Sequence, residues 1–106
     1  MSFFSNMQEK SLQEYINEAR GREGSIFLDV RTPEEYREGH IEGSFNLPLH
    51  ELKKVESLIP DKTSPVYVYC LSGARSKRST ALMKHMGYTD VTDMGGLLGQ
   101  KTDLVK

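Results

Sequence analysis

Val66-Tyr67-Val68-Tyr69-Cys70-Leu71-Ser72-Gly73-Ala74-Arg75-Ser76 is the stretch on which the fold turns. Its first half alternates β-branched and aromatic residues, the pattern of a short strand buried in a sheet. Its second half is small and polar and runs into Lys77-Arg78-Ser79-Thr80-Ala81-Leu82-Met83, which reads as helix. The chain's single cysteine stands at the join. A strand ending in a thiol, followed by a tight loop into a helix N-terminus, puts the sulfur where backbone N–H groups converge. Those donors and the positive end of the helix favour an anion, and a thiolate is one.

A lone cysteine most often packs as a small hydrophobe. Here its neighbours argue otherwise. Gly73 lets a loop fold its amides inward, and Arg75 adds a cation, the kind of surroundings that make a thiol reactive.

Upstream, Ser11 with Glu14 three residues later matches a capping box. Leu12, Tyr15, Ile16 and Ala19 share one face of a helix that runs to Arg20 and stops at Gly21. Ser25-Ile26-Phe27-Leu28-Asp29-Val30 is nearly continuous and apolar, as suits a parallel strand covered on both faces. Thr32 caps the next short helix, to about Arg37, with Pro33 at its first position and Glu35 completing the box. Asp29 and Arg31 flank the strand end, and their spacing reads as a structural ion pair. His40, in a turn between Gly39 and Ile41, is expected to shape that turn by hydrogen bonding. Ser44-Phe45-Asn46-Leu47 is extended, and Leu49 to Leu58 shows helical spacing after Pro48. Lys53 and Lys54 are adjacent and read as a solvated edge.

Downstream, Pro60 to Pro65 is a surface turn. The helix after Cys70 should run to about Met86 and close at Gly87. Tyr88 to Met94 holds a last short strand, and Gly95-Gly96 permits a turn that approaches the cysteine loop. Leu97-Leu98 and the tail are expected as a helical cap or a frayed end. Strands alternating with helices imply an α/β fold, a mostly parallel central sheet with helices on both faces. Ligands then bind outside the carboxyl ends of the strands, where Cys70 stands.

The chain has 106 residues, which suits one domain spanning 1–106. Its net charge of −1 selects neither nucleic acid nor an anionic membrane. One cysteine forms no intramolecular disulfide, and with three scattered histidines it makes no zinc pattern. Met1 to Asn6 lacks a basic region and an apolar core, so no secretory signal is read there. No apolar run approaches the ~20 residues of a membrane helix. A soluble, cytoplasmic monomer without metal or cofactor is expected.

Cys70-Leu71-Ser72-Gly73-Ala74-Arg75-Ser76 resembles the active-site loop of the rhodanese family of sulfurtransferases. Leu28 to Tyr36, Gly39 to Pro48 and Met94-Gly95-Gly96 resemble other blocks of that family, in its order, so the likeness covers most of the chain from Ser25 onward. The resemblance implies a small rhodanese-like α/β domain and a sulfurtransferase. Cys70 would be the catalytic thiolate and would hold a persulfide. The backbone of Leu71, Ser72, Gly73, Ala74, Arg75 and Ser76 would bind its charge. The Arg75 side chain would help bind an anionic donor, and the Ser72 hydroxyl could reach the sulfur. Asp29 and Arg31 would brace the loop, while Lys77 and Arg78 face solvent. Thiosulfate or a persulfide would be the donor. The acceptor would be an external thiol or cyanide, with a thioredoxin-like protein as one candidate.

Two other classes remain at this point. A non-catalytic rhodanese-like module would bind a partner without using the thiol, because fold alone does not fix function. A cysteine-dependent phosphatase or arsenate reductase would also pair a cysteine with a loop arginine. The tyrosine-phosphatase loop has five residues between them, whereas this chain has four. One residue fewer shrinks a nearly closed ring by about half an ångström in radius, which suits one sulfur better than a phosphate. Two positions depart from the family. Leu71 stands where many thiosulfate-using members carry a basic residue, making the mouth less cationic. Leu97-Leu98 follows Gly95-Gly96 where a Trp is frequent.

Overall fold

The computed structural model describes residues 10–106; the Met1–Asn6 segment read above for a leader lies outside them. Four strands, β1 (Ile26–Asp29), β2 (Phe45–Asn46), β3 (Val66–Cys70) and β4 (Val91–Gly96), form one sheet in the order β2-β1-β3-β4. Every pairing is parallel. Parallel neighbours need crossovers, and helices supply them. These are α2 (Pro33–Glu38), α3 (Val55–Leu58) with a preceding 3-10 segment (Leu49–Lys54), and α4 (Ala74–His85), while α1 (Leu12–Arg20) leads into β1. No helix among the described residues is long and apolar enough to cross a membrane.

The two-residue period of the strands splits the core into two layers. Phe27, Tyr67, Tyr69 and Met94 pack with Leu12, Ile16 and Ala19 of α1. Leu28, Val66, Val68 and Cys70 face the other way, onto Leu52, Val55, Ile59 and Met83. Both faces of the sheet are therefore covered, as the apolar run in β1 implies. Burying each such aliphatic side chain contributes about 1.5–3 kcal/mol, so either layer alone outweighs any single surface contact. The alternation also decides where the thiol goes. Cys70, last residue of β3, points to the α4 side.

The caps form as read from the sequence. Ser11 and Glu14 close a reciprocal box on α1, and Thr32 and Glu35 do so on α2, with Pro33 at its start. Helix α4 ends at His85, with Met86 as its cap and Gly87 next. His40 shapes its turn as expected: Nδ1 lies 2.8 Å from the Tyr36 carbonyl, and the ring stacks on Tyr36 at 3.7 Å.

Three local expectations are corrected. The Leu49–Leu58 segment is not one α-helix. Its first six residues are 3-10, with a kink at Glu51 (φ −110°, ψ 16°), because Pro48 supplies no side-chain cap for an α-helical first turn. Gly95 and Gly96 are not a turn; they extend β4 alongside Tyr69 and Cys70. The tail is neither helical nor frayed. The Leu97 and Leu98 N–H groups bond to the Cys70 and Leu71 carbonyls, and Val105 pairs with His40 in an antiparallel bridge.

Candidate active site

The site begins with a left-handed residue. Gly73 (φ 104°) precedes α4 and turns its N–H back toward the end of β3. That N–H donates to Cys70 Sγ at 3.0 Å, and the Ser76 N–H donates to the same sulfur at 3.3 Å. Both are unclaimed by backbone carbonyls, as expected in a first helical turn. Of the six loop amides expected to converge, these two meet the sulfur. Cys70 itself is fully buried. A thiol that only fills space needs no such donors; here two backbone N–H groups are aimed at the sulfur.

Several contacts hold the loop in place. Ser76 Oγ lies 2.7 Å from Asp93 Oδ1, within reach also of the Gly73 and Gly95 carbonyls. Asp93 accepts the Gly95 N–H at 2.9 Å as well. A bulge makes this possible. Val68 pairs with Asp93 but Tyr69 pairs with Gly95, so Met94 is the extra residue and drops into the α1-side layer. Gly96 then sits opposite Cys70 and against the Leu71 peptide. The sequence reading singled out Gly95-Gly96 for this approach but not Asp93, whose carboxylate only the bulge re-aims.

Arg75 is not a solvated residue. Its guanidinium makes a two-pronged pair with Glu35, at 2.8 and 3.0 Å. The same carboxylate accepts the Thr32 N–H in the α2 capping box at 2.8 Å. One acid therefore ties the start of α2 to the start of α4. The Arg75 bonds hold the Glu35 carboxyl down at about 2, against the opposing effect of burial and with help from the Thr32 N–H. Ser72 is exposed, and its hydroxyl makes no bond to the sulfur.

Asp29 and Arg31 form the expected pair, fully buried and joined by Nε at 3.0 Å and Nη2 at 2.7 Å. They do not bond to the Cys70 loop. Arg31 Nη2 also donates to the Gly39 carbonyl at 2.6 Å, so the pair braces the turn at the mouth of the site. Arg31 and Arg75 both line a cleft of about 460 Å³ between α4 and the 3-10 segment.

The linkage at Glu35 has a sign that can be checked. Its carboxyl is lower in the folded protein than the usual 4.5, so the pair's stabilisation is present above 4.5 and lost as pH falls through about 2. The pair is partly screened, with exposures of 32% and 24%, and about 2 kcal/mol is expected. Glu35→Gln keeps the capping geometry and should be less stable than wild type at pH 6. The two stability curves should converge near pH 2 in acid-unfolding measurements. Parallel curves would show that Arg75 gains nothing from the charge.

Fold and site thus define a doubly covered parallel domain with a thiol seated in an amide-lined loop at a strand's carboxyl end. Residues 11–99 match the rhodanese-like domain model, and the chain belongs to that family. It is 42% identical over 72 residues to thiosulfate sulfurtransferase PspE of Escherichia coli (strain K12), covering 67% of this chain and 69% of that protein. It is 38% identical over 74 residues to a sulfurtransferase of Allochromatium vinosum, covering 70% and 68%. A solved structure described as "rhodanese with anions from E. coli" superposes with a TM-score of 0.72 at 38% identity, covering 77% of this chain and 98% of that one.

Proposed function

We propose that this protein is a sulfurtransferase that carries sulfane sulfur as a persulfide on Cys70. The observation that carries the reading is the pair of amides, Gly73 and Ser76, aimed at Sγ. In the first half-reaction the thiolate attacks the outer sulfur of a donor. With thiosulfate, the new Cys70 S–S bond forms as the donor's S–S bond breaks, and sulfite leaves with the electron pair. The terminal sulfur of the persulfide is then negative. The first-turn N–H groups of Ala74 and Arg75 have no intrahelical acceptor and would meet it, in the manner of an oxyanion hole. In the second half-reaction an external nucleophile attacks that sulfur. A thiolate leaves as a persulfide and cyanide as thiocyanate, and Cys70 departs as the thiolate.

The chain has no second thiol, so release as an internal disulfide is chemically closed to it. The loaded form must wait for an acceptor. Incubation with excess thiosulfate or a persulfide, then removal of the donor, should leave protein heavier by one sulfur atom in intact-mass spectra. Added thiol should return the original mass. If no loaded species accumulates and initial-rate lines intersect instead of running parallel, Cys70 is not a carrier.

A further inference from the structure

The charge around the mouth is lopsided. On one side of the loop lies a depression of about 260 Å³ walled by Leu71, Leu97, Leu98 and Leu104, with Glu35 and Glu38 at its edge; Arg31, already paired with Asp29, borders both this depression and the cleft opposite. On the other side the 460 Å³ cleft runs into a second, of about 530 Å³, along the outer face of α4. The two share Leu49, Arg75 and Arg78, and between them add Arg31, His50 and Lys77. No carboxylate lines either one, although the chain as a whole has a net charge of −1. Lys77 and Arg78 are exposed and have no ion-pair partner among the described residues. Glu51, beside the cleft in sequence, is turned to Lys54 and His50. Ala74 and Ala81 keep the groove floor low, and Leu82, 41% exposed, forms a wall.

From Ala74 to Leu82 the groove follows the helix for about 12 Å, at 1.5 Å per residue. That is longer than cyanide or a small thiol needs. We infer that the Lys77–Arg78 face of α4 docks a protein acceptor whose reactive cysteine is flanked by carboxylates. This rests on the sulfurtransferase reading, since the groove opens beside the loop that would hold the persulfide. Complementary charges at such a rim act on encounter and orientation, and salt weakens them. The Lys77 N–H bonds the Gly73 carbonyl through backbone alone, and neither the Lys77 nor the Arg78 side chain bonds to Cys70, Gly73, Ser76 or Asp93.

Three acetylated heptapeptides with one central cysteine, flanked by glutamates, glutamines or lysines, test this. Each is used to discharge sulfur-loaded protein at low salt, with dithiothreitol as a neutral small thiol. Flanking charge alters the thiol's own reactivity, so the readout is the acidic-to-neutral rate ratio in wild type divided by that ratio in Lys77→Glu/Arg78→Glu. A value of about three to ten is expected, falling toward one in high salt, with dithiothreitol rates unchanged. Glutamates near a helix N-terminus favour the helix, so the variant should fold, and Lys77→Gln/Arg78→Gln should give an intermediate value. A ratio of one at low salt, while dithiothreitol still discharges the protein, overturns the docking surface and leaves sulfur transfer standing. Mercaptosuccinate, a small thiol with two carboxylates, should show little of the effect; if it shows all of it, the groove binds small anions and the inference is wrong. A chain that never loads overturns sulfur transfer and this inference with it.

Discussion

Cys70→Ser should abolish sulfur transfer, by more than about a thousandfold in kcat/KM, while the fold survives. A serine hydroxyl can accept the Gly73 and Ser76 N–H groups that now meet Sγ, so the loop keeps its bonds. Its own proton loses only a weak thiol's place in the interior, a cost of about 1 kcal/mol. The chemistry does not survive. An alcohol at neutral pH is neither ionised by two amides nor able to hold sulfane sulfur as a persulfide does. The variant should therefore show a near-native thermal midpoint, no mass gain after incubation with thiosulfate, and no thiocyanate from cyanide. Transfer retained at even a tenth of the wild-type rate would remove Cys70 from the mechanism. A collapse of the fold would instead mean that the sulfur's packing in the α4-side layer matters more than its bonds.

What could be read from the sequence was what short-range chemistry determines. The caps at Ser11 and Thr32 are three-residue signals, and both are present. The alternation in Val66 to Cys70 reads as a strand buried in a sheet, and β3 is buried along its whole length. The cysteine-to-helix loop needed only Gly73 and a helix start. The parts that escaped depend on elements far apart in the chain. Glu35 already had a complete local role as the α2 capping acid, so nothing in the sequence announced its second bond to Arg75, forty positions on. Arg75 is accordingly read from the sequence without this partner, a carboxylate that neutralises much of its charge. Asp93 needed the Met94 bulge to reach Ser76, and bulges leave no periodic trace. Leu97-Leu98 reads as a helical cap or a frayed end because two leucines carry no period; the open Cys70 and Leu71 carbonyls decide against both.

The same carbonyls make Gly96 the most sensitive backbone position near the thiol. A Cβ built there would lie 2.2 Å from the Leu71 oxygen and 2.5 Å from its carbonyl carbon. Real contacts of that kind sit above 3 Å, and the opposing atoms are backbone, so no rotamer relieves the clash. Gly96→Ala must push β4 away from the loop or tilt the Leu71–Ser72 peptide. The first weakens the ladder, including the Leu98 N–H bond to the same Leu71 oxygen at 2.9 Å. The second swings the Gly73 N–H off Sγ. Overpacking of this kind costs about 1–3 kcal/mol. A misplacement of about 1 Å at reacting groups can cost a hundredfold in rate, so activity should fall further than stability. Gly21→Ala provides the comparison, since its Cβ would stand 3.5 Å from the Glu18 carbonyl, an ordinary contact. Thermal midpoints and persulfide-loading rates of the two variants separate the alternatives. A Gly96→Ala protein that loads sulfur at the wild-type rate would show that the loop tolerates movement, and that two well-aimed amides are not what makes the sulfur reactive.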